Sequence, residues 1–447
     1  MKDIISAVEK NRSIMLDALD YIWRNPETGF REIKTSKYLE KAFETLGYEL
    51  KKPDGIPGFT TLVDTGKEGP CILVLGELDS VICFEHPECD KTTGAVHSCG
   101  HCAQASALLG IAAALKEPGI LDGLSGKILL CAVPAEELVE IDYRKGLMKE
   151  GKISFMGGKA EFLSRGMFDG VDMAMMIHTT SADHSFIDAG RYVGCLPKKV
   201  TYKGVAAHAG TSPHDGVNAL YAATLGLQAI NSVRETFKNQ DYIRVHPIIT
   251  SGGDIVNTIP DTVTVESYIR GLDFEAIDDA NRRVNRALVG AALALGANVE
   301  IDDTPGYAPC IYDEQYSELA LEAIKKVLPK VPCRISKCIS TGSSDIGDLT
   351  MLMPAIQPSM MGAVGLGHGA TYYINDPELA VVGAAKWQLA MLRLLLSNEA
   401  ERARRIISGY KPTFASKEEY FAFLERFRST GPRINYGPDG SAHAILK

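Results

Sequence analysis

Cys99 and His101 stand either side of one glycine in the stretch His97-Ser98-Cys99-Gly100-His101-Cys102. In an extended or turn segment, side chains two positions apart point the same way. One thiolate and one imidazole can therefore reach a single metal ion. The residues that follow, Ala103 to Leu115, are mostly small and apolar, so the pair sits on a loop entering a buried helix. The competing reading is a pair of inert buried cysteines around a core histidine. A zinc knuckle built from Cys83, Cys89, Cys99 and Cys102 fits less well, because their spacing does not give paired C-x-x-C halves.

The elements that must position this loop are legible nearby. Cys71 to Gly76 is an apolar run without alternation, as expected for a strand buried on both faces, and it ends at Glu77-Leu78-Asp79. A second run, Lys127 to Val133, ends at Pro134-Ala135-Glu136-Glu137, and a third, Val171 to Ile177, ends at His178. Helical stretches at 103–115 and 156–167 lie between them, and helical periodicity marks 3–23 and 35–46. This rhythm predicts a mainly parallel sheet with crossover helices. Open α/β sheets place ligands at the carboxyl ends of their strands. Glu77, Asp79, Glu136, Glu137 and His178 would emerge on the same rim as Cys99 and His101.

Past Cys195 the texture changes. An alternating strand, a helix from about 217 to 237, strands near 243–250 and 262–270, a helix at 275–294 and a strand ending near Ile301 follow the order of a split-βαβ module. The expected fold is therefore α/β, with the sheet domain over 1–195, an inserted ferredoxin-like lid or dimerisation domain over 196–305, and the sheet domain resuming over 306–447. Helices are expected at 314–328 and 378–396. Ser416 with Glu419 makes a capping box for a short amphipathic helix in the tail.

Size and composition narrow the classes. A chain of 447 residues exceeds one ordinary hydrophobic core, which favours two domains. A net charge of −9 argues against nucleic acid as a partner. No long apolar run predicts a membrane span, and the N-terminus lacks an apolar leader core. The ten scattered cysteines read as reduced, buried, small apolar residues of a cytoplasmic protein.

These pieces together resemble the M20 metallopeptidase family, in its aminoacylase and amidohydrolase branch with the auxin-conjugate hydrolases and aminobenzoyl-glutamate hydrolase subunits. The resemblance runs over about 1–398. It is carried by Gly76-Glu77-Leu78-Asp79, His97 to His101, Pro134 to Glu137, His178, Ala207-His208-Ala209, Gly252-Gly253 before Asn257-Thr258-Ile259-Pro260, and His368. Ser343 to Asp348, Gly157-Gly158-Lys159 and Phe168 to Asp172 are most similar to the aminobenzoyl-glutamate type.

The resemblance implies that Cys99, His101, Glu137, His178 and His368 hold divalent metal, two ions per chain, zinc or manganese. It implies that Glu136 is the general base. It makes His208 a histidine that reaches a partner subunit's site, in a homodimer joined through the inserted domain. Many relatives carry Asp or Asn where this chain has Cys102, which leaves the outer partner of His101 open. Asn257 and Arg270 are candidates for the substrate carboxylate, Arg270 through a bidentate fork; each is equally suited to a structural role. Glu77 and Asp79 are expected to orient ligands rather than bind metal.

The expected reaction is hydrolysis of the amide bond of an N-acyl or N-aroyl amino acid or short peptide, by metal-activated water. Aminobenzoyl-glutamate hydrolysis and dipeptidase activity are rivals of the same class. A catalytically silent binding protein is the rival of another class, against which the full residue set speaks. A cysteine-nucleophile amidase using Cys99 or Cys102 fits the local motif, but leaves Glu136, Glu137 and His368 without a role.

Overall fold

The computed structural model describes residues 1–446 and divides into two compact units. The first comprises Met1–Arg191, Cys310–Ile339 and Ser344–Lys417. Its main sheet runs Phe59–Asp64, Lys127–Val133, Cys71–Glu77, Met173–Met175 and Ala355–Ile356, with only the first pair antiparallel. Cys71–Glu77 is buried along its whole length, as its unbroken apolar run requires. The helix His101–Leu115 is buried at every position and packs against this strand. Helices Arg12–Trp23 and Ala384–Gly409 pack on it in turn.

By length and composition alone, one helical stretch among the described residues, Glu378–Gly409, could cross a membrane. It is a core helix here: Trp387, Leu389, Met391, Leu392, Leu395 and Leu396 are all buried in the first unit.

The third apolar run departs from the single strand expected over 171–177. Met173–Met175 belongs to the main sheet, whereas His178–Thr180 belongs to a separate four-stranded sheet with Ser359–Met361, Ser185–Asp188 and Cys333–Ser336. The reason is continuous pairing with 354–358: the amides of Ala174, Met176 and His178 donate to the carbonyls of Pro354, Ile356 and Pro358. Two chain segments leave one sheet together and enter the next.

The second unit comprises Tyr192–Pro309, Ser340–Ser343 and the chain from Glu418 onward. Its antiparallel sheet has the order Arg244–Val245, Thr262–Gly271, Gly194–Lys203, Asn298–Asp303, with Ile248–Ser251 also on Thr262–Gly271. Burial alternates along Thr262–Gly271, and helices Ala219–Arg234 and Phe274–Ala294 share one core with the buried positions. This is the expected split-βαβ arrangement.

The tail corrects the expectation that 306–447 rejoins the first unit throughout. From Glu418 on, the chain packs with the second unit. The amides of Ile301 and Asp303 donate to Gly431 and Ser429, the Arg433 amide donates to Val299, and Ile434 enters the core. Asn298–Asp303 would otherwise be a sheet edge with unpaired backbone groups. The tail covers it.

Candidate metal centre

Gly100 sets the geometry of the loop between Val96 and the buried helix. Its φ is +87°, and a Cβ there would lie 2.1 Å from Thr179 Oγ1 and 2.3 Å from Tyr372 Oη. Only glycine allows the loop to lie this close to Thr179 and Tyr372, whose hydroxyls share a 2.7 Å hydrogen bond. From the neighbouring segment, the His368 amide donates to the Ser98 carbonyl at 2.8 Å. Cys99, His101, His178 and His368 are thereby drawn to one place.

Donor atoms of Cys99, His101 and His178 all lie within 4.8 Å of one another, as do those of Cys99, Glu137 and His368. Cys99 is common to both groups, and its Sγ is 3.4 Å from His178 Nε2. His368 Nε2 is 3.0 Å from Glu137 Oε1. His101 Nδ1 faces Asp79 Oδ1 at 3.0 Å, which turns Nε2 into the cluster. That nitrogen is buried and has no well-formed hydrogen bond among the described residues, with Glu77 Oε2 3.2 Å away. A buried orphan nitrogen among thiol, imidazole and carboxylate donors fits a borderline-soft divalent cation.

The electrostatics favour the ionised thiolate and carboxylate that bind metal, and place on the imidazoles the positive charge that a divalent cation would replace. Burial and Glu137 push the Cys99 thiol up, but His101 and His178 outweigh them and bring it down to about 6. Burial likewise raises Glu137, yet His368 and His101 hold it at about 2. Hydrogen bonding to Cys99 and Glu137 pushes His368 up to about 11. Cys102 is inert by contrast, since burial drives its thiol up to about 12. The outer partner of His101 that Cys102 left open is Asp79.

Glu136 and Glu137 follow Ala135, whose φ is +58°. The strained turn is fixed through its backbone. Glu32 Oε1 accepts from the Ala135 amide and Asp79 Oδ2 from the Glu137 amide, both at 2.7 Å, while buried Arg144 donates to the carbonyls of Glu137 and Met156. Glu136 makes no side-chain hydrogen bond among the described residues. Burial and the nearby Glu77, Glu137 and Asp345 carboxylates raise it well above the usual carboxylate range.

The remaining sequence candidates lie in the second unit. His208 is exposed, and its Nδ1 accepts from the amides of Gly210 and Thr211 at 3.1 Å each. With Nδ1 accepting twice, Nε2 is the ring nitrogen left to donate. The Asn257 carbonyl accepts from Ala209, so Asn257 runs beside His208. Arg270 is half-buried and donates one Nη1 bond to the Thr341 carbonyl at 3.3 Å, which ties down part of its fork.

Sequence reasoning gives no role to Arg144, Glu32 or the fully buried Lys159. The available signal is a charged residue amid Ala, Phe and Leu, as in Gly158-Lys159-Ala160-Glu161-Phe162-Leu163, where the whole segment is buried.

Soft and hard donors gathered in one place, with the Glu136 carboxylate alongside Glu137 and His101, are the equipment of a metal-dependent amide hydrolase. The sequence matches Peptidase family M20/M25/M40 over residues 73–393, and the chain belongs to that family; it is an amidohydrolase or peptidase. It is 29% identical over 304 residues to one of the subunits of the p-aminobenzoyl-glutamate hydrolase of Escherichia coli, covering 66% of this chain and 59% of that one. It is 28% identical over 364 residues to N-acetyl-L-cysteine deacetylase of Bacillus subtilis, covering 77% and 81%. Its fold matches a dinuclear metal-binding M20 peptidase of Bacillus subtilis with a TM-score of 0.62 at 19% identity, over 87% of this chain and 99% of that one.

Proposed function

We propose that this chain hydrolyses the amide bond of N-acyl or N-aroyl amino acids or short peptides bearing a free carboxylate. The observation that carries the reading is the convergence on Cys99 of two donor groups, His101 with His178 and Glu137 with His368, beside the orphan Nε2 of His101. These five residues would hold two divalent ions, zinc or manganese. When bound, the ions lower the pKa of water toward neutrality and polarise the scissile carbonyl.

The protein's own groups do the rest. Glu136, adjacent to Glu137 and without a side-chain hydrogen bond among the described residues, would be ionised by the positive charge of cations bound beside it; it then takes the proton of the attacking water and delivers it to the leaving nitrogen. His208 supplies its Nε2–H to the developing oxyanion, reaching the site of a partner chain in a homodimer. Asn257 and Arg270 are the groups assigned to the substrate carboxylate. The exposed edge strand Ile248–Ser251, with Ile248 and Ile249 uncovered, supports pairing through the second unit.

The experiment is a hydrolysis panel of N-acetyl-L-cysteine, p-aminobenzoyl-glutamate and simple dipeptides, run on wild type, Glu136→Gln and Glu137→Gln. Glu136→Gln should keep its metal and lose on the order of 10²–10⁴-fold in turnover. Glu137→Gln should lose metal. The opposite pattern would reverse the two roles.

A further inference from the structure

Two motifs, Gly157-Gly158-Lys159 and Ser343 to Asp348, have no part in the reaction proposed above. The structure joins them. The Lys159 ammonium pairs with both Asp345 and Glu77, and all three side chains are completely buried. The Lys159 amide also donates to Asp345 Oδ2 at 3.0 Å. The approach depends on Gly158, where a Cβ would meet the Pro134 carbonyl oxygen at 1.6 Å. The segment bearing Lys159 is thus held directly under the turn that carries Glu136.

Glu77 is the second anchor. Its Oε2 accepts from Gln104 at 2.7 Å. Carboxylate oxygens of Glu77, Asp345 and Glu136 all lie within 4.8 Å of one another. Three mutually repelling carboxylates share this space, and among the described residues Glu77 and Asp345 are fixed by side-chain hydrogen bonds whereas Glu136 is not. Lys159 is the ammonium within the cluster. For stability alone, an apolar side chain would serve a buried position at least as well.

We propose that Lys159 is a positioning residue: clamped between Glu77 and Asp345, its ammonium attracts the Glu136 carboxylate and holds it facing the metal centre. This rests on the reading of Glu136 as the base. Lys159 touches neither substrate nor metal ligands and acts through Glu136.

The test compares wild type, Glu136→Gln, Lys159→Met and the charge-matched double variant Lys159→Met/Asp345→Asn. The double variant removes one positive and one negative charge, so it avoids the extra uncompensated buried carboxylate that the single change leaves. On whichever panel substrate the wild type cleaves, the double variant should keep its melting temperature and metal content. Its kcat should fall on the order of 10²-fold, the scale of a misplaced reacting group, while KM stays within about threefold. A folded, metal-loaded double variant with wild-type kcat would overturn the proposal, as would an effect confined to KM or to metal loss. Full activity in Glu136→Gln would remove the base reading itself, whereas an inactive Glu136→Gln beside a fully active double variant removes only the role of Lys159.

Discussion

The carboxylate of Asp79 contacts His101 and Glu137 at once: Oδ1 lies 3.0 Å from His101 Nδ1, and Oδ2 accepts the Glu137 amide at 2.7 Å. One side chain therefore fixes the ring orientation of one proposed ligand and the backbone of another. Asp79→Ala frees both. Metal affinity should fall about 10–100-fold, measured by competition with a chromogenic chelator. Unchanged affinity would mean that the strand and turn orient these ligands unaided.

The second unit has its own buried ion pair, between Lys198 and Asp303, each 1% exposed. Burial pushes Asp303 up, but Lys198, Asn281 and Asn285 outweigh it and lower its pKa. A carboxyl with a depressed folded value contributes stability that is full above its unfolded value and is lost as pH falls through the folded one. Thermal melts followed below about pH 4 should show this loss in wild type. Asp303→Ala strands a buried ammonium and should cost about 3–5 kcal/mol at neutral pH, read by denaturant unfolding. A loss below about 1 kcal/mol would show the pair to be energetically idle.

His208 and Glu136 belong to different units, and the proposed role of His208 is on a partner chain's site. Mixing a His208→Ala chain with a Glu136→Gln chain, each inactive alone, should restore partial activity once the chains exchange between dimers. Verified exchange without recovery would place His208 in cis or leave it structural.

Much of this is legible in the sequence, for identifiable reasons. Cys71 to Glu77 and Lys127 to Val133 read as buried strands because an apolar run has no solvent face to alternate with. The second unit is legible because Thr262–Gly271 alternates at every position. Glu77, Glu136, Glu137 and His178 are visible because they follow apolar runs, and Cys99 and His101 because one glycine separates them, whereas His368 is visible only through the family resemblance. The clamp of Lys159 on Asp345 is not visible, since 186 residues separate them and neither carries a periodic signal. The tail reads as part of the wrong unit because its edge pairing depends on a strand end more than a hundred residues earlier. The division of 171–180 between two sheets is hidden for a related reason: partnership with 354–361 decides it, not local pattern.

Hydrolysis is proposed to depend on metal held by Cys99, His101, Glu137, His178 and His368. Elemental analysis of the purified protein, paired with hydrolysis before and after complete chelation, tests it most directly. At least one transition metal per chain is expected, with loss of that metal in the Cys99→Ala/His101→Ala variant and activity that disappears on chelation and returns with zinc or manganese. Undiminished hydrolysis by fully metal-free protein would contradict it.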